Sequence, residues 1–154
     1  MCIRDRNKGG NQSIDAYLNS RNLIDQHANF FHRGKVFYVD ERNRLFVHAG
    51  INVAKKLSEH NIEDCVFSKR MWKALQKEEM NTVSFQLNDE TYVSNQSVFI
   101  GHAQTSYKHP DLKPVCKGNV WNLDQGAGRN GKLTIMNVDT KEYWQSDRVD
   151  TLSV

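Results

Sequence analysis

Two short apolar runs each end in a histidine followed by small residues: Leu45-Phe46-Val47-His48-Ala49-Gly50 and Val98-Phe99-Ile100-Gly101-His102-Ala103. Runs of this length rich in Val, Ile and Phe read as buried strands. A histidine at a strand end is held by the sheet, and small residues after it leave room for a ligand beside the backbone. Neutral imidazole ligates zinc, iron or manganese, so two such strand ends side by side would offer two nitrogens to one ion. On spacing alone a packed or hydrogen-bonded structural histidine is the alternative for each. His27, His32, His60 and His109 fall in helical or loop contexts and read as structural or exposed.

The surrounding pattern is mixed α/β. Asn11 or Ser13 could cap a short helix and Asn22 a second, whose apolar positions Leu23, Ala28, Phe30 and Phe31 end near Gly34: an N-terminal helical pair. Residues 35–39 and 44–48 flank the charged turn Asp40-Glu41-Arg42-Asn43 and read as a hairpin. Ile62, Cys65, Val66, Met71, Trp72 and Leu75 recur at helical intervals, so 62–79 reads as one central amphipathic helix. Residues 81–96 are mostly polar and read as a loop with at most one short strand. Four more strands are expected at 97–101, 119–123, 132–138 and 142–145, broken by Gly126-Ala127-Gly128 and Asn130-Gly131.

Composition narrows the partners. With 154 residues, 38% apolar and 25% charged, the chain is long enough for a core and has no stretch approaching the roughly 18 apolar residues of a membrane span. Lys+Arg 21 against Asp+Glu 18 gives only +3, without the clustered cations of a nucleic-acid or membrane-surface footprint. Neither nucleic acid nor membrane is an expected partner. Cys2, Cys65 and Cys116 are odd in number and lack Cys-x-x-Cys spacing, so a reducing, cytoplasmic setting is expected. Cys65 and Cys116 read as small buried hydrophobes.

The histidine runs, taken with Val120-Trp121-Asn122-Leu123-Asp124-Gln125-Gly126-Ala127-Gly128 and Gly131-Lys132-Leu133-Thr134, resemble the calcineurin-like metallophosphoesterases, and within them the bacterial and phage serine/threonine protein phosphatases. The match runs in order from about Gly9 to Arg148, with Gly9-Gly10 and Tyr17 resembling the segment after that family's Gly-Asn-His-Asp/Glu motif. The resemblance implies the C-terminal part of a four-layer αββα sandwich with mixed, mostly antiparallel β structure. It makes His48 and His102 ligands of the second of two divalent metal ions, with manganese favoured over iron or zinc. Arg70, in Phe67-Ser68-Lys69-Arg70, aligns with the family's Trp-Asp-Arg arginine, which grips substrate phosphate; here Ser68 and Lys69 stand in place of Trp and Asp. Asp124 falls at the family's Asp-Thr-Gly, where it would orient an imidazole, with a turn-forming aspartate as the alternative; Gln125 replaces the Thr. The implied chemistry is in-line hydrolysis of a phosphate ester by water activated between two metals, with a histidine protonating the leaving group.

Five groups that this chemistry needs are not in the chain. The family's Asp-x-His, Gly-Asp-x-x-Asp-Arg-Gly and Gly-Asn-His-Asp/Glu motifs have no counterpart, and Asp25-Gln26-His27 lies in a predicted helix, where residues two apart diverge. Residues 7–154 are therefore expected to be a partial catalytic domain, exposing a sheet edge and the inner face of a sandwich, and inactive alone. The first six residues, Met1-Cys2-Ile3-Arg4-Asp5-Arg6, lack a signal peptide's apolar core and resemble translated adapter sequence, so they are expected to be a non-native leader. The expected substrate is a phosphoprotein or small phosphoester. Two alternatives remain open at this point: a symmetrical dinucleoside tetraphosphate hydrolase of the same superfamily, and a non-catalytic protein-binding domain.

Overall fold

The computed structural model describes residues 11–18, 20 and 23–151. The leader, the Gly9-Gly10 segment and the Asn22 cap lie outside the described residues. Two compact units divide at Lys35 and Val36.

The first unit carries the expected helical pair, α1 (Asn11–Leu18) and α2 (Ile24–His32). The α2 N-cap is Leu23, which makes no side-chain cap hydrogen bond. Tyr17 and His27 join the helices through a 2.8 Å hydrogen bond between the phenol oxygen and Nδ1. No residue of α2 is buried, and Phe30 and Phe31 are 73% and 71% exposed.

The second unit is mixed α/β and is organised by a five-stranded sheet of order β1-β2-β5-β7-β6. Its strands are β1 (Phe37–Val39), β2 (Leu45–Val47), β5 (Val98–Ile100), β6 (Val115–Lys117) and β7 (Val120–Asn122). The expected β1–β2 hairpin is antiparallel, β2, β5 and β7 are parallel to one another, and β6 returns antiparallel to β7. β5 is buried at all three positions, which is why it reads as a continuous apolar run rather than an alternating one. Strand β6 was not expected; its signal is the Gly118-Asn119 turn that joins it to β7, with Gly118 at φ 57°, a conformation suited to glycine.

One face of this sheet contributes Leu45, Val47, Val98, Ile100 and Val120 to the core. Against them pack Cys65 of α3 (Ile62–Phe67) and Met71, Trp72 and Leu75 of α4 (Arg70–Gln76). These two helices replace the single helix expected over 62–79. A continuous helix would give the Cys65 carbonyl to the Lys69 amide, but that carbonyl accepts from the Ala49 N–H at 2.7 Å and Ser68 is extended. The expected polar loop is also corrected: β3 (Phe85–Gln86) and β4 (Tyr92–Val93) form a small hairpin that buries Val83, Phe85 and Val93. Its turn is an Asn88 side chain accepting from the Glu90 and Thr91 amides.

The opposite face carries a row of aromatics in register, Tyr38, Phe46, Phe99 and Trp121. Phe46 and Phe99 stack at 5.0 Å and 10°, worth about 0.5–1.5 kcal/mol beyond burial. The last hairpin, β8 (Thr134–Met136) and β9 (Tyr143–Gln145), reaches this face through its turn. Lys141 lies 4.9 Å over the Phe99 ring, and Asp139 pairs with both Arg42 and Arg44. Cys65 is buried as expected, whereas Cys116, on edge strand β6, is exposed. Burial pushes the Cys65 thiol up, and partial desolvation by its neighbours raises that of Cys116 despite its exposed position and the opposing Lys141 charge. Among the described residues, no helix is long and apolar enough to cross a membrane.

Candidate metal centre

Because β2, β5 and β7 are parallel, their C-terminal ends emerge together. His48 leaves β2, Gly101 and His102 leave β5, and Leu123 and Asp124 leave β7. Main-chain bonds tie the three exits: the Gly101 N–H donates to the His48 carbonyl at 2.8 Å, and the Leu123 N–H to the Ile100 carbonyl at 2.9 Å. The residues singled out from opposite ends of the sequence are therefore neighbours.

His48 Nε2 and His102 Nδ1 stand 3.2 Å apart, with ring centroids 5.0 Å apart. His102 has φ 56°, a left-handed conformation in which histidine is enriched among non-glycine residues and which costs about 1–3 kcal/mol. Two nitrogens about 2.1 Å from one tetrahedral ion lie about 3.4 Å from each other, close to the separation of His48 Nε2 and His102 Nδ1. The same separation suits an N–H···N hydrogen bond, which keeps the rings facing one another when no ion is held. Phe67, at the end of α3, sets its ring edge-on to His102 at 6.3 Å. In the sequence Phe67 stands out only as part of the phosphate-arginine segment; ending α3 at this residue brings its ring to the site.

The remaining candidates sit at the same sheet end without joining the imidazole pair. Arg70 is the exposed first residue of α4, and no hydrogen bond or ion pair holds its guanidinium among the described residues. Its segment packs beside the site: a Cβ at Gly50, two residues after His48, would lie 3.5 Å from the Ser68 carbonyl oxygen and 3.4 Å from Met71 Cε. Asp124 Oδ1 accepts from the Gly126 N–H at 3.0 Å, the turn-forming role, while a Cβ at Gly101 would sit 3.9 Å from Asp124 Cβ. Gln125 is fully buried. Its Nε2 donates to Asn122 O at 3.0 Å and Thr105 Oγ1 at 3.3 Å, and its Oε1 is the buried side-chain polar atom without a partner.

His60 is structural, as expected: Nε2 accepts from the Asn52 N–H at 2.8 Å, so Nδ1 is the donor to the Lys56 carbonyl at 2.8 Å. Among the described residues no group of three or more His, Cys, Asp or Glu side chains is arranged to hold an ion; the strand ends supply a pair. Compared with known protein families, curated proteins and solved structures, the chain gives no match.

Proposed function

We propose that residues 7–154 are part of the catalytic domain of a dinuclear-metal phosphoesterase of the calcineurin-like type, acting on phosphoserine and phosphothreonine in proteins. The observation that carries the reading is the 3.2 Å approach of His48 Nε2 to His102 Nδ1 at adjacent parallel strand ends. It is supported by the order of the sequence motifs around them. In this reading the two imidazoles would both ligate one ion, and the remaining ligands would come from chain outside these residues. The five-stranded sheet with α3 and α4 on one face would be half of a four-layer sandwich, with β8 and β9 contributing to the second sheet.

Divalent metals, if held there by His48, His102 and further ligands, would supply an activated water and Lewis-acid polarisation of the phosphoryl group. The chain's own residues orient the substrate. Arg70 supplies a planar fork that matches two phosphoryl oxygens, with no partner to displace among the described residues. Phe67 sets its ring edge-on to His102 and limits the directions from which a substrate reaches it. Asp124 fixes the turn after β7 through Gly126.

The test uses the full reading frame from which this chain comes. Manganese-dependent release of phosphate from a phosphoserine peptide is expected, falling at least about a hundredfold in His48→Ala and His102→Ala, with diadenosine tetraphosphate a poorer substrate. Activity that persists in both histidine variants would sink the proposal. This chain alone should show neither turnover nor two tight manganese sites in calorimetric titration.

A further inference from the structure

A cavity of about 370 Å³ opens between the loop after β5 and the loop after β7. Gln104, Ser106 and Tyr107 form one wall, and Arg129 and Asn130 form the other. Its lining carries no carboxylate among the described residues. Arg129 Nη1 donates to the Tyr107 hydroxyl oxygen at 2.9 Å, which aims the guanidinium and leaves four of its five N–H donors uncommitted. Ser106 Oγ accepts from Gln104 Nε2 at 2.6 Å, so its own proton remains available to a ligand. Arg148 also lines the space, but its Nε and Nη2 are occupied by Asp150 at 3.0 and 2.9 Å. Arg129 is the dominant charge.

The two walls are built to meet. Gly126 has φ +82°, and a Cβ there would overlap Gln104 Nε2 and press on Ser106 Oγ at 3.2 Å. The positive φ favours glycine at this point of the loop, while a Cβ would also require the Gln104 side chain to move. Leu112, itself buried, adds an apolar surface. One oriented guanidinium beside an apolar wall matches the carboxylate and methylene stem of a glutamate, and the second charge that would favour a phosphate dianion, Arg148, is already paired with Asp150. Gln104 follows His102 by two residues, at most about 7 Å of chain, so a peptide engaged at the imidazoles would lay a flanking residue here.

We infer that this cavity is a peptide subsite that takes an acidic side chain beside the phosphorylated residue, directing the site to acidic sequences. The inference rests on the phosphoprotein reading for its substrate, but not for its binding chemistry.

It is tested by fluorescence anisotropy with a labelled Glu-rich peptide and its Gln counterpart, both unphosphorylated, binding this chain in the presence of chelator. The acidic peptide should bind at least about tenfold tighter, as a charge-assisted contact requires. Arg129→Gln should abolish the difference and Tyr107→Phe should reduce it. Equal binding of the two peptides overturns the inference. So does an undiminished preference in an Arg129→Gln protein that unfolds at the wild-type temperature. Displacement by equimolar inorganic phosphate would make the cavity a phosphate site and also overturn it. Because binding is read without metal, failure here and failure of the histidine reading are separable.

Discussion

The Gly101 amide donates to the His48 carbonyl at 2.8 Å, so the two histidine-bearing strand ends are joined by main chain as well as by the contact of their imidazoles. A substitution at position 101 that respects this bond should leave the site intact. A Cβ there would meet the His48 oxygen at 3.6 Å, ordinary contact, and Gly101→Ala is expected to change stability by less than about 0.5 kcal/mol. Gly126→Ala is the contrasting case, with a positive φ and an overlap with Gln104; it should cost about 1–3 kcal/mol. Urea unfolding of the two variants reads the difference.

The facing imidazoles should respond to a divalent ion as a pair. Titrated with manganese or zinc, the wild-type chain should show coupled changes in the NMR signals of His48 and His102, and His48→Ala should remove the response at His102. Ligation requires unprotonated nitrogens, so the apparent affinity should weaken as the pH is lowered. Independent responses of the two rings would contradict a shared ion.

Asp139 links the last hairpin to the β1–β2 turn, and hydrogen bonding from Arg44 holds its carboxyl below the ordinary value. Burial pushes Asp40 up, but the Arg44 amide and guanidinium and the Arg42 amide outweigh it and leave it lowered. A carboxyl lowered in the folded state adds stability that is complete above the unfolded value of about 4 and is lost as pH falls through the folded value. The melting temperature should therefore decline below about pH 4, and Asp139→Asn should decline less over that window.

Gln125 is buried with its donor satisfied and its acceptor unmatched. Gln125→Glu would set a second acceptor against the Asn122 carbonyl and is expected to cost about 2–4 kcal/mol at neutral pH. Part of that loss should return on acidification, when the carboxyl protonates and can donate. A variant as stable as the wild type at pH 7 would show that Gln125 is not in this arrangement.

What the sequence made legible were the features encoded locally. The Val and Ile of β2, β5 and β7 declare strands, and His48 and His102 stand at strand ends because the apolar runs stop there. The break between α3 and α4 was not legible, since periodicity cannot reveal that Ala49, sixteen positions before Cys65, claims its carbonyl. The 81–96 hairpin was hidden by its polar exposed side, although Val83, Phe85 and Val93 carry the buried one. Val115-Cys116-Lys117 is too short to announce itself as a strand without its partner β7. Phe30 and Phe31 were counted as a helix's apolar face and are instead exposed. The cavity around Arg129 depends on Tyr107, twenty-two residues earlier, and has no local pattern at all.

The parallel pairing of β2 with β5 has a kinetic consequence. His48 and His102 are 54 residues apart in the chain, and the excursion between them contains both core helices and the β3–β4 hairpin. Closing so long a loop comes at an entropic cost that parallel strands recover only after the intervening elements have packed. On this topology the imidazole pair is expected to assemble late in folding. An ion shared by the two rings would act as a staple across that loop and would slow the unfolding of the sheet from its strand ends.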